Sequence, residues 1–260
     1  MQIDKIHLVY FSPCGGTAKV LKTLAANFAG GCIEHDLTLP AGRKAKIVFR
    51  ENDLVFFGFP VYAGRVPKIA EQIFGLLEGK NTPCALVAVY GNREYEGALL
   101  DLHEWAQKAG FNTVAAAAAI AQHSIASQFA AARPDSSDEK RLGDFGLQIL
   151  EQAKNDKRLE KIPGAYPVQK PAPAGFVPLS VLADSEKCVQ CGKCADVCPS
   201  GAIPADSPCE TDNSVCIRCG ACVKYCPQNA RQFSPQATMD MISAMLAKAA
   251  SARKEAELFL

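Results

Sequence analysis

The sequence predicts a doubly wound α/β domain with a parallel sheet, followed by a smaller unit rich in cysteine. Three observations carry this prediction. Apolar segments of strand length alternate with helical segments at first, a proline-rich stretch then interrupts the pattern, and eight cysteines form two runs behind it. We therefore expect one domain at 1–160, a linker at 161–182, a second domain at 183–234 and a C-terminal amphipathic helix at 235–260.

The composition allows one full globular core and little else. Of 260 residues, 48% are hydrophobic and 21% are charged, which suits a domain of ordinary size with a small appendage. The formal net charge of +1 gives no reason to expect a nucleic acid or an anionic membrane as partner. Asp4 and Lys5 interrupt the segment where a signal peptide would be apolar, and no stretch is long enough to span a membrane. We expect a cytoplasmic protein without membrane insertion.

Five strands are predicted in the first domain. Ile6–Phe11 and Asp53–Phe59 are apolar without alternation, as expected of strands that are covered on both faces of a parallel sheet. Cys32–Leu37 is more polar, Cys84–Tyr90 is apolar, and the alanine run in Asn112–Ala121 is also compatible with a helix. In such domains ligands bind at the carboxyl ends of the strands. The predicted helices lie near 17–29, 67–78, 97–109 and 138–155.

The first strand ends in the loop SPCGGT, residues 12–17, which opens the first predicted helix. Its glycines and hydroxyls form a nest of N–H groups at a helix N-terminus, which suits a phosphate. The glycine spacing fits neither the triphosphate loop nor the dinucleotide fingerprint. An alternative is that Cys14 is a nucleophile of low pKa, as in the small tyrosine phosphatases, although Val20 stands where those enzymes need an arginine.

This loop resembles the phosphate loop of flavodoxins, which binds the 5′-phosphate of FMN through hydroxyls and backbone amides. The resemblance implies a flavodoxin-like parallel sheet with the strand order 2-1-3-4-5. It also implies that the phosphate is held by Ser12, Cys14, Gly15, Gly16 and Thr17, with Cys14 in place of the usual hydroxyl residue.

The loop after the third strand resembles the flavodoxin loop that flanks one face of the isoalloxazine ring. The resemblance implies that Pro60, Val61, Tyr62 and Gly64 contact the flavin. Tyr62 is the candidate for stacking on the ring. The alternative is an aromatic side chain that only caps the edge of the sheet.

The loop after the fourth strand stands where flavodoxins have their third flavin loop. The resemblance implies that Gly91 and Asn92 offer amides to the pyrimidine edge and that Tyr95 forms a second aromatic wall. Flavodoxins usually carry acidic residues here, whereas this chain has Arg93, which we expect to favour the anionic reduced flavin. The alternative is that Arg93 pairs with Glu94 or Glu96 in solvent.

The cysteine-rich unit contains the spacing C-x2-C-x2-C-x3-C-P twice. Three thiolates two residues apart on one tight loop can reach three irons on one face of a cubane, and the fourth iron needs a ligand from elsewhere. Gly192 and Gly220 leave room for backbone N–H groups to approach the sulfurs. The runs are Cys188, Cys191, Cys194 and Cys198, followed by Pro199, and Cys216, Cys219, Cys222 and Cys226, followed by Pro227.

The doubled run resembles the bacterial ferredoxins that hold two 4Fe-4S clusters. In that family the fourth cysteine of each run binds the other cluster. The alternative is a pair of four-cysteine zinc sites, which would have no use for a third thiolate at the same spacing. The resemblance implies one cluster on Cys188, Cys191, Cys194 and Cys226 and a second on Cys216, Cys219, Cys222 and Cys198.

Two other features have no assigned role at this point. His123 follows the last predicted strand, from where it could donate a proton to a substrate, although a histidine that only caps the sheet is the simpler interpretation. Cys209 lies between the two runs and matches no ligand position.

Together, these features resemble a fusion of a flavodoxin with a two-cluster ferredoxin, a kind of anaerobic electron-transfer protein. The resemblance implies FMN and two 4Fe-4S clusters as cofactors and a redox protein as donor or acceptor. We expect a relay of electrons between the clusters and the flavin. One alternative is a ferredoxin-dependent reductase that acts on a quinone or nitro compound at the flavin, and another is an α/β scaffold without flavin.

Overall fold

The central sheet consists of strands that carry few polar side chains. Nearly every residue at 53–60 and 82–90 is buried, because helices cover both faces of the sheet. The computed structural model describes residues 1–166, 177–250 and 252–260. The strands are β1 (Lys5–Tyr10), β2 (Ile33–Asp36), β3 (Ile47–Val48), β4 (Asp53–Pro60), β5 (Leu77–Glu78), β6 (Thr82–Tyr90), β7 (Phe111–Ile120), β8 (Ser180–Ala183), β9 (Arg231–Ser234) and β10 (Glu257–Phe259).

The helices alternate with the strands through the first domain. The helices are α1 (Gly16–Leu24), α2 (Ile69–Phe74), α3 (Ala98–Lys108), α4 (Ser136–Lys154), α5 (Lys193–Asp196), α6 (Ala221–Lys224) and α7 (Gln236–Ala249), with a 3-10 turn at Pro40–Arg43.

The strand order of the large sheet is β10-β7-β6-β4-β1-β2, and all pairs except β10 with β7 are parallel. Counted by themselves, the five parallel strands have the order 2-1-3-4-5, so the predicted fold class is confirmed. The order reverses between β1 and β4, which is the point where open α/β sheets bind ligands.

Each face of the sheet has its own apolar core. On one face α2 and α3 pack over an aromatic group in which Phe57 lies 4.9 Å from both Phe74 and Phe111, measured between ring centroids. On the other face α1 and α4 contribute residues such as Val20 and Phe145. These two layers fix the sheet and the loops at its edge.

The second domain is a small α+β unit. β8 and β9 pair antiparallel, and each of the short helices α5 and α6 begins after a glycine of left-handed conformation. Its apolar core contains few residues, which are Leu179, Val181, Cys194, Ile203, Cys222 and Phe233.

The predicted C-terminal helix is only partly correct. α7 ends at Ala249, and Glu257–Phe259 form β10, which pairs antiparallel with β7. The pairing covers the backbone edge that β7 would otherwise expose. The sequence pattern could not predict β10, because this strand is short and its partner β7 is distant in the chain. Among the described residues, no helix is long and apolar enough to cross a bilayer.

The predicted linker overlaps regular structure at its C-terminal end, because β8 begins at Ser180. At its other end, Ile162 packs against the first domain and Ala165 N donates to Glu96 O at 3.2 Å. Pro167, Pro171 and Pro173 lie outside the described residues.

The C-terminal strand is attached to the first domain by a buried hydroxyl. Tyr95 is 8% exposed, and its Oη donates to Glu257 Oε2 at 3.0 Å. We predict that Tyr95→Phe lowers the free energy of unfolding by about 1 kcal/mol, because a hydrogen bond to a carboxylate is lost from a mostly buried site. Thermal unfolding of the intact protein measures this as a midpoint roughly 2–4 °C lower.

The matched control is Tyr166→Phe. Tyr166 is 50% exposed and uses its ring face, 4.5 Å from the guanidinium of Arg65. The substitution removes the hydroxyl but leaves the contact between the ring and Arg65 intact, so we expect an unchanged midpoint of thermal unfolding. Equal shifts in both variants would contradict the assigned role of Tyr95.

Candidate flavin and cluster sites

A cavity of about 440 Å³ lies at the carboxyl edge of the sheet, where β1, β4 and β6 end. Its size is in the range of pockets that hold organic cofactors. All three loops predicted to contact a flavin contribute to its wall, as does the loop after β7. Two further contributors come from distant parts of the chain, the second cysteine run and α7. The cavity is therefore shared by both domains.

The first loop, which we expect to bind a phosphate, lines the cavity and leads into α1. Gly15 has φ 82°, a left-handed conformation that turns the chain sharply into α1. Ser12 Oγ accepts the N–H of Ala18 at 2.9 Å, and its proton is still available to an anion. Ser12, Cys14, Gly16 and Thr17 line the cavity, whereas Gly15 forms the turn behind it.

Cys14 is covered by the second domain. Its Sγ donates to Cys219 O at 3.2 Å, and its carbonyl accepts from Lys224 Nζ at 2.7 Å. Burial raises the pKa of the Cys14 thiol to about 11. Such burial does not favour the alternative of a low-pKa nucleophile.

The second loop brings Tyr62 between the phosphate loop and the second cysteine run. Pro60, Val61 and Tyr62 line the cavity. Burial, with smaller contributions from Cys219 and Cys14, raises the pKa of the Tyr62 hydroxyl well above its usual range. Tyr62 therefore remains the aromatic candidate for contact with a flavin ring.

Gly64 was expected among the flavin contacts, but it does not line this cavity. It has φ 80° and lies in the tight turn in which Tyr62 N donates to Arg65 O at 2.8 Å. Its side of the turn packs closely on Glu96. Gly64 therefore shapes the loop from behind.

The third loop differs most from expectation. Gly91 and Arg93 line the cavity, but Asn92 and Tyr95 do not. Asn92 Nδ2 donates to Ala250 O at 3.1 Å and to Ala252 O at 2.8 Å. Tyr95 Oη likewise donates to Glu257, so both side chains bind the C-terminal segment. The expected amides of Gly91 and Asn92 at the pyrimidine edge and Tyr95 as a second aromatic wall stay predictions.

Two arginines line the cavity, and no acidic residue is among its described lining residues. Arg93 Nη1 donates to Glu96 Oε1 at 2.8 Å. Arg93 therefore pairs with an acidic neighbour and also lines the cavity. Arg218 comes from the second cysteine run, and its Nε donates to Leu179 O. This charge suits an anionic group such as the phosphate of FMN. Arg218 was missed because only the fold brings it here.

His123 lines the cavity as a neutral hydrogen-bond donor. Its Nδ1 accepts the N–H groups of Ile125 and Ala126, both at 3.2 Å, which assigns the ring proton to Nε2. Burial lowers the pKa of His123, and the nearby charge of Arg93 lowers it further. Gly91 leaves space for the ring, which a β-carbon at that position would overlap.

The eight cysteines of the two runs surround two small cavities in the second domain. No three His, Cys, Asp or Glu side chains of the described residues are placed to hold a single metal ion, and the cysteines border cavities instead. One cavity is lined by Cys188, Cys191, Cys194 and Cys226, and the other by Cys198, Cys216, Cys219 and Cys222. These groups are the same two sets that the ferredoxin resemblance implies, and the ligand assignment itself stays a prediction.

The chemistry around the sulfurs fits anionic clusters. Ala202 N donates to Cys198 Sγ at 3.2 Å, and Ala230 N donates to Cys226 Sγ at 3.3 Å, which are related positions in the two runs. Arg231 is only 3% exposed, and its Nη2 donates to Cys194 Sγ at 3.5 Å. A buried guanidinium needs a negative partner, which a cluster of four thiolates supplies. Arg231 was also missed from sequence, since one arginine near a motif is an unspecific signal.

Comparison with known proteins supports the description of the second domain. The family model of the 4Fe-4S binding domain matches residues 181–203 and 210–232. No curated protein matches the sequence.

Several solved structures resemble the first domain. A metal-soaked flavodiiron core from Synechocystis sp. PCC6803 is 17% identical, with a TM-score of 0.42 over 60% of this chain and 37% of that chain. A flavodoxin from the domain Archaea is 14% identical, with a TM-score of 0.41 over 58% of this chain and 99% of that chain. Oxidised flavodoxin 1 from Bacillus cereus is 14% identical, with a TM-score of 0.42 over 57% of this chain and 98% of that chain.

At these values the structural likeness carries no argument about function, and the fold assignment rests on the strand order of the sheet itself. The matched cysteine segments and that strand order give one conclusion. The chain joins an α/β domain of flavodoxin-like topology to a ferredoxin-type 4Fe-4S binding domain at its C-terminal end.

Proposed function

We propose that the protein relays electrons between two 4Fe-4S clusters in the second domain and an FMN in the cavity at the sheet edge. The 4Fe-4S binding domain and the flavodoxin-like topology support an electron-transfer protein that combines iron-sulfur and flavin centres. Bound FMN supplies one- and two-electron chemistry, whereas each cluster supplies one electron at a time.

The observation that carries the proposal is the wall that the flavin cavity shares with the second cysteine run. Ile217 and Arg218 line this cavity, and they stand between two cysteines that line the neighbouring one. Cys219 O accepts a hydrogen bond from Cys14, which belongs to the phosphate loop. A cluster on this run would lie next to the flavin, so electrons could pass between them without a partner protein.

The other group of cysteines is nearer to solvent. Cys191 is exposed and Val189 is 63% exposed, whereas Cys219 and Cys222 are buried. We infer that an external redox protein exchanges electrons at this outer cluster. The inner cluster then connects the outer cluster with the flavin.

The residues of the cavity wall would bind, orient and shield the flavin. The turn at Gly15 and the hydroxyls of Ser12 and Thr17 suit its phosphate, and Tyr62 suits one ring face. His123 offers a neutral N–H donor. Such a fixed donor beside a cavity of this size also supports the second candidate, a reductase that acts on a small quinone or nitro compound.

We predict that protein purified without oxygen contains about eight iron atoms, eight sulfides and one FMN per chain, as two 4Fe-4S clusters require. Elemental analysis, sulfide assay and the visible spectrum measure these contents. A colourless preparation, or one with zinc in place of iron, would contradict the relay. Steady turnover of a quinone or nitro compound, with saturation, would favour the reductase.

We predict that Arg231→Gln lowers the reduction potential of the outer cluster by roughly 60 mV, equal to a tenfold change in its one-electron equilibrium. The buried positive charge beside Cys194 stabilises the more negative reduced cluster. Redox titration followed by electron paramagnetic resonance measures the potential. The control is Lys193→Gln, because Lys193 is exposed and its charge is screened by water. Equal potentials in both variants would show that Arg231 is not a tuning residue.

We predict that Arg93→Ala lowers the potential of bound FMN, because a positive charge in the cavity wall favours the reduced anion. The change is smaller than for Arg231, since Glu96 already compensates part of the charge. Spectroscopic titration of the flavin against a reference dye checks this. A potential that stays the same or rises would contradict the prediction.

A further inference from the structure

We propose that the C-terminal segment, described at 236–250 and 252–260, is a permanent wall of the flavin site that admits small molecules but keeps protein partners away from the flavin. Proteins would then exchange electrons with the flavin only through the clusters. The inference rests on the proposed function. It concerns a segment that lies outside both cysteine motifs and outside the flavodoxin-like loops.

The first step is the position of α7 beside the cavity. Ile242, Met245 and Leu246 line it together with the sheet loops. Leu246 is 1% exposed, whereas Met245 is 51% exposed, so Met245 lies where the cavity meets solvent. Ile242 also packs against the apolar core of the second domain, together with Met239. The helix is therefore shared by the cavity and the cluster domain.

The second step is the attachment of the chain just after α7. Asn92 is 5% exposed, and three hydrogen bonds satisfy its side chain. Its Nδ2 donates to the carbonyls of Ala250 and Ala252, and its Oδ1 accepts the N–H of Lys254 at 3.1 Å. Lys254 Nζ in turn pairs with Glu94. The third loop of the flavin site thus binds the end of the helix directly.

The third step is a second set of contacts with the loop that precedes α4. Arg253 Nη1 lies 2.6 Å from Asp135 Oδ2, and Arg133 Nη2 donates to Lys254 O at 3.2 Å. β10 then pairs with β7 at the edge of the sheet. At the other end, Thr238 Oγ1 donates to Val177 O at 2.7 Å. Attachment at both ends makes the segment a fixed part of the site.

The consequence is a flavin site that is closed by three elements: the sheet loops, the second cysteine run and α7. Such walls bury most of the surface of a ligand. The surface of a second protein is too large to enter the cavity past Met245, whereas a small oxidant can enter it. A partner protein then exchanges electrons at the exposed surface near Cys191.

Two methionines on α7 allow a matched test. Met245 lines the cavity, whereas Met241, one helical turn earlier and 42% exposed, does not. In the full-length protein with its clusters, we expect Met245→Ala to weaken FMN binding about fivefold and to raise the quenching of flavin fluorescence by iodide, because apolar cover over the flavin is removed. Met241→Ala changes neither quantity. Equal behaviour of the two variants would overturn the inference.

Asn92→Asp tests the attachment without a change in size. It brings a carboxylate against the carbonyls of Ala250 and Ala252, which repels them. We expect faster hydrogen exchange at the amides of α7 and more iodide quenching while FMN stays bound. Unchanged exchange and quenching would contradict the inference. If the native protein binds no FMN, the proposed function fails; if it binds FMN and these variants behave as the native protein does, only the inference fails.

Discussion

The contact between the phosphate loop and the second cysteine run is the interaction on which the functional arrangement depends. Cys14 donates to the carbonyl of Cys219, and the carbonyl of Cys14 accepts from Lys224. These two hydrogen bonds join residues that are more than 200 positions apart in the chain. They close one side of the flavin cavity and bring the buried cysteines beside it. They add to the contacts that α7 makes with both domains.

Glycines in the left-handed conformation make this approach possible. Gly15 turns the chain into α1 with φ 82°, and Gly220 does the same before α6 with φ 83°. A side chain at Gly220 would press on the carbonyl of Ser124 in the loop after β7, so the second domain could not dock so closely. The same local conformation therefore opens a helix in each domain.

Local patterns predicted the parts of the structure that depend on local physics. Strands buried on both faces carry no alternation, and cluster loops need a fixed cysteine spacing, so the sheet order and the two groups of cysteines followed from sequence and resemblance. The side-chain contacts of Asn92 and Tyr95 could not be predicted, because their partners, Ala250 and Glu257, are about 160 residues away. The periodicity of a sequence does not show which distant segments of the chain come into contact. The positions of Arg218 and Arg231 also could not be predicted, because only the fold places these arginines beside the cavities.

The small size and the buried charge of the second domain suit a domain that folds around a bound iron-sulfur cluster. Two of the six buried residues in its apolar core are cysteines of the runs, and the buried guanidinium of Arg231 hydrogen-bonds to one of them. A core this small gives little stability alone, and a buried cation without an anion costs several kcal/mol. A cluster bound by these cysteines would offset both deficits, because ligand binding would then be part of folding. Since this domain forms a wall of the cavity at the sheet edge, we expect cluster binding to stabilise that cavity as well.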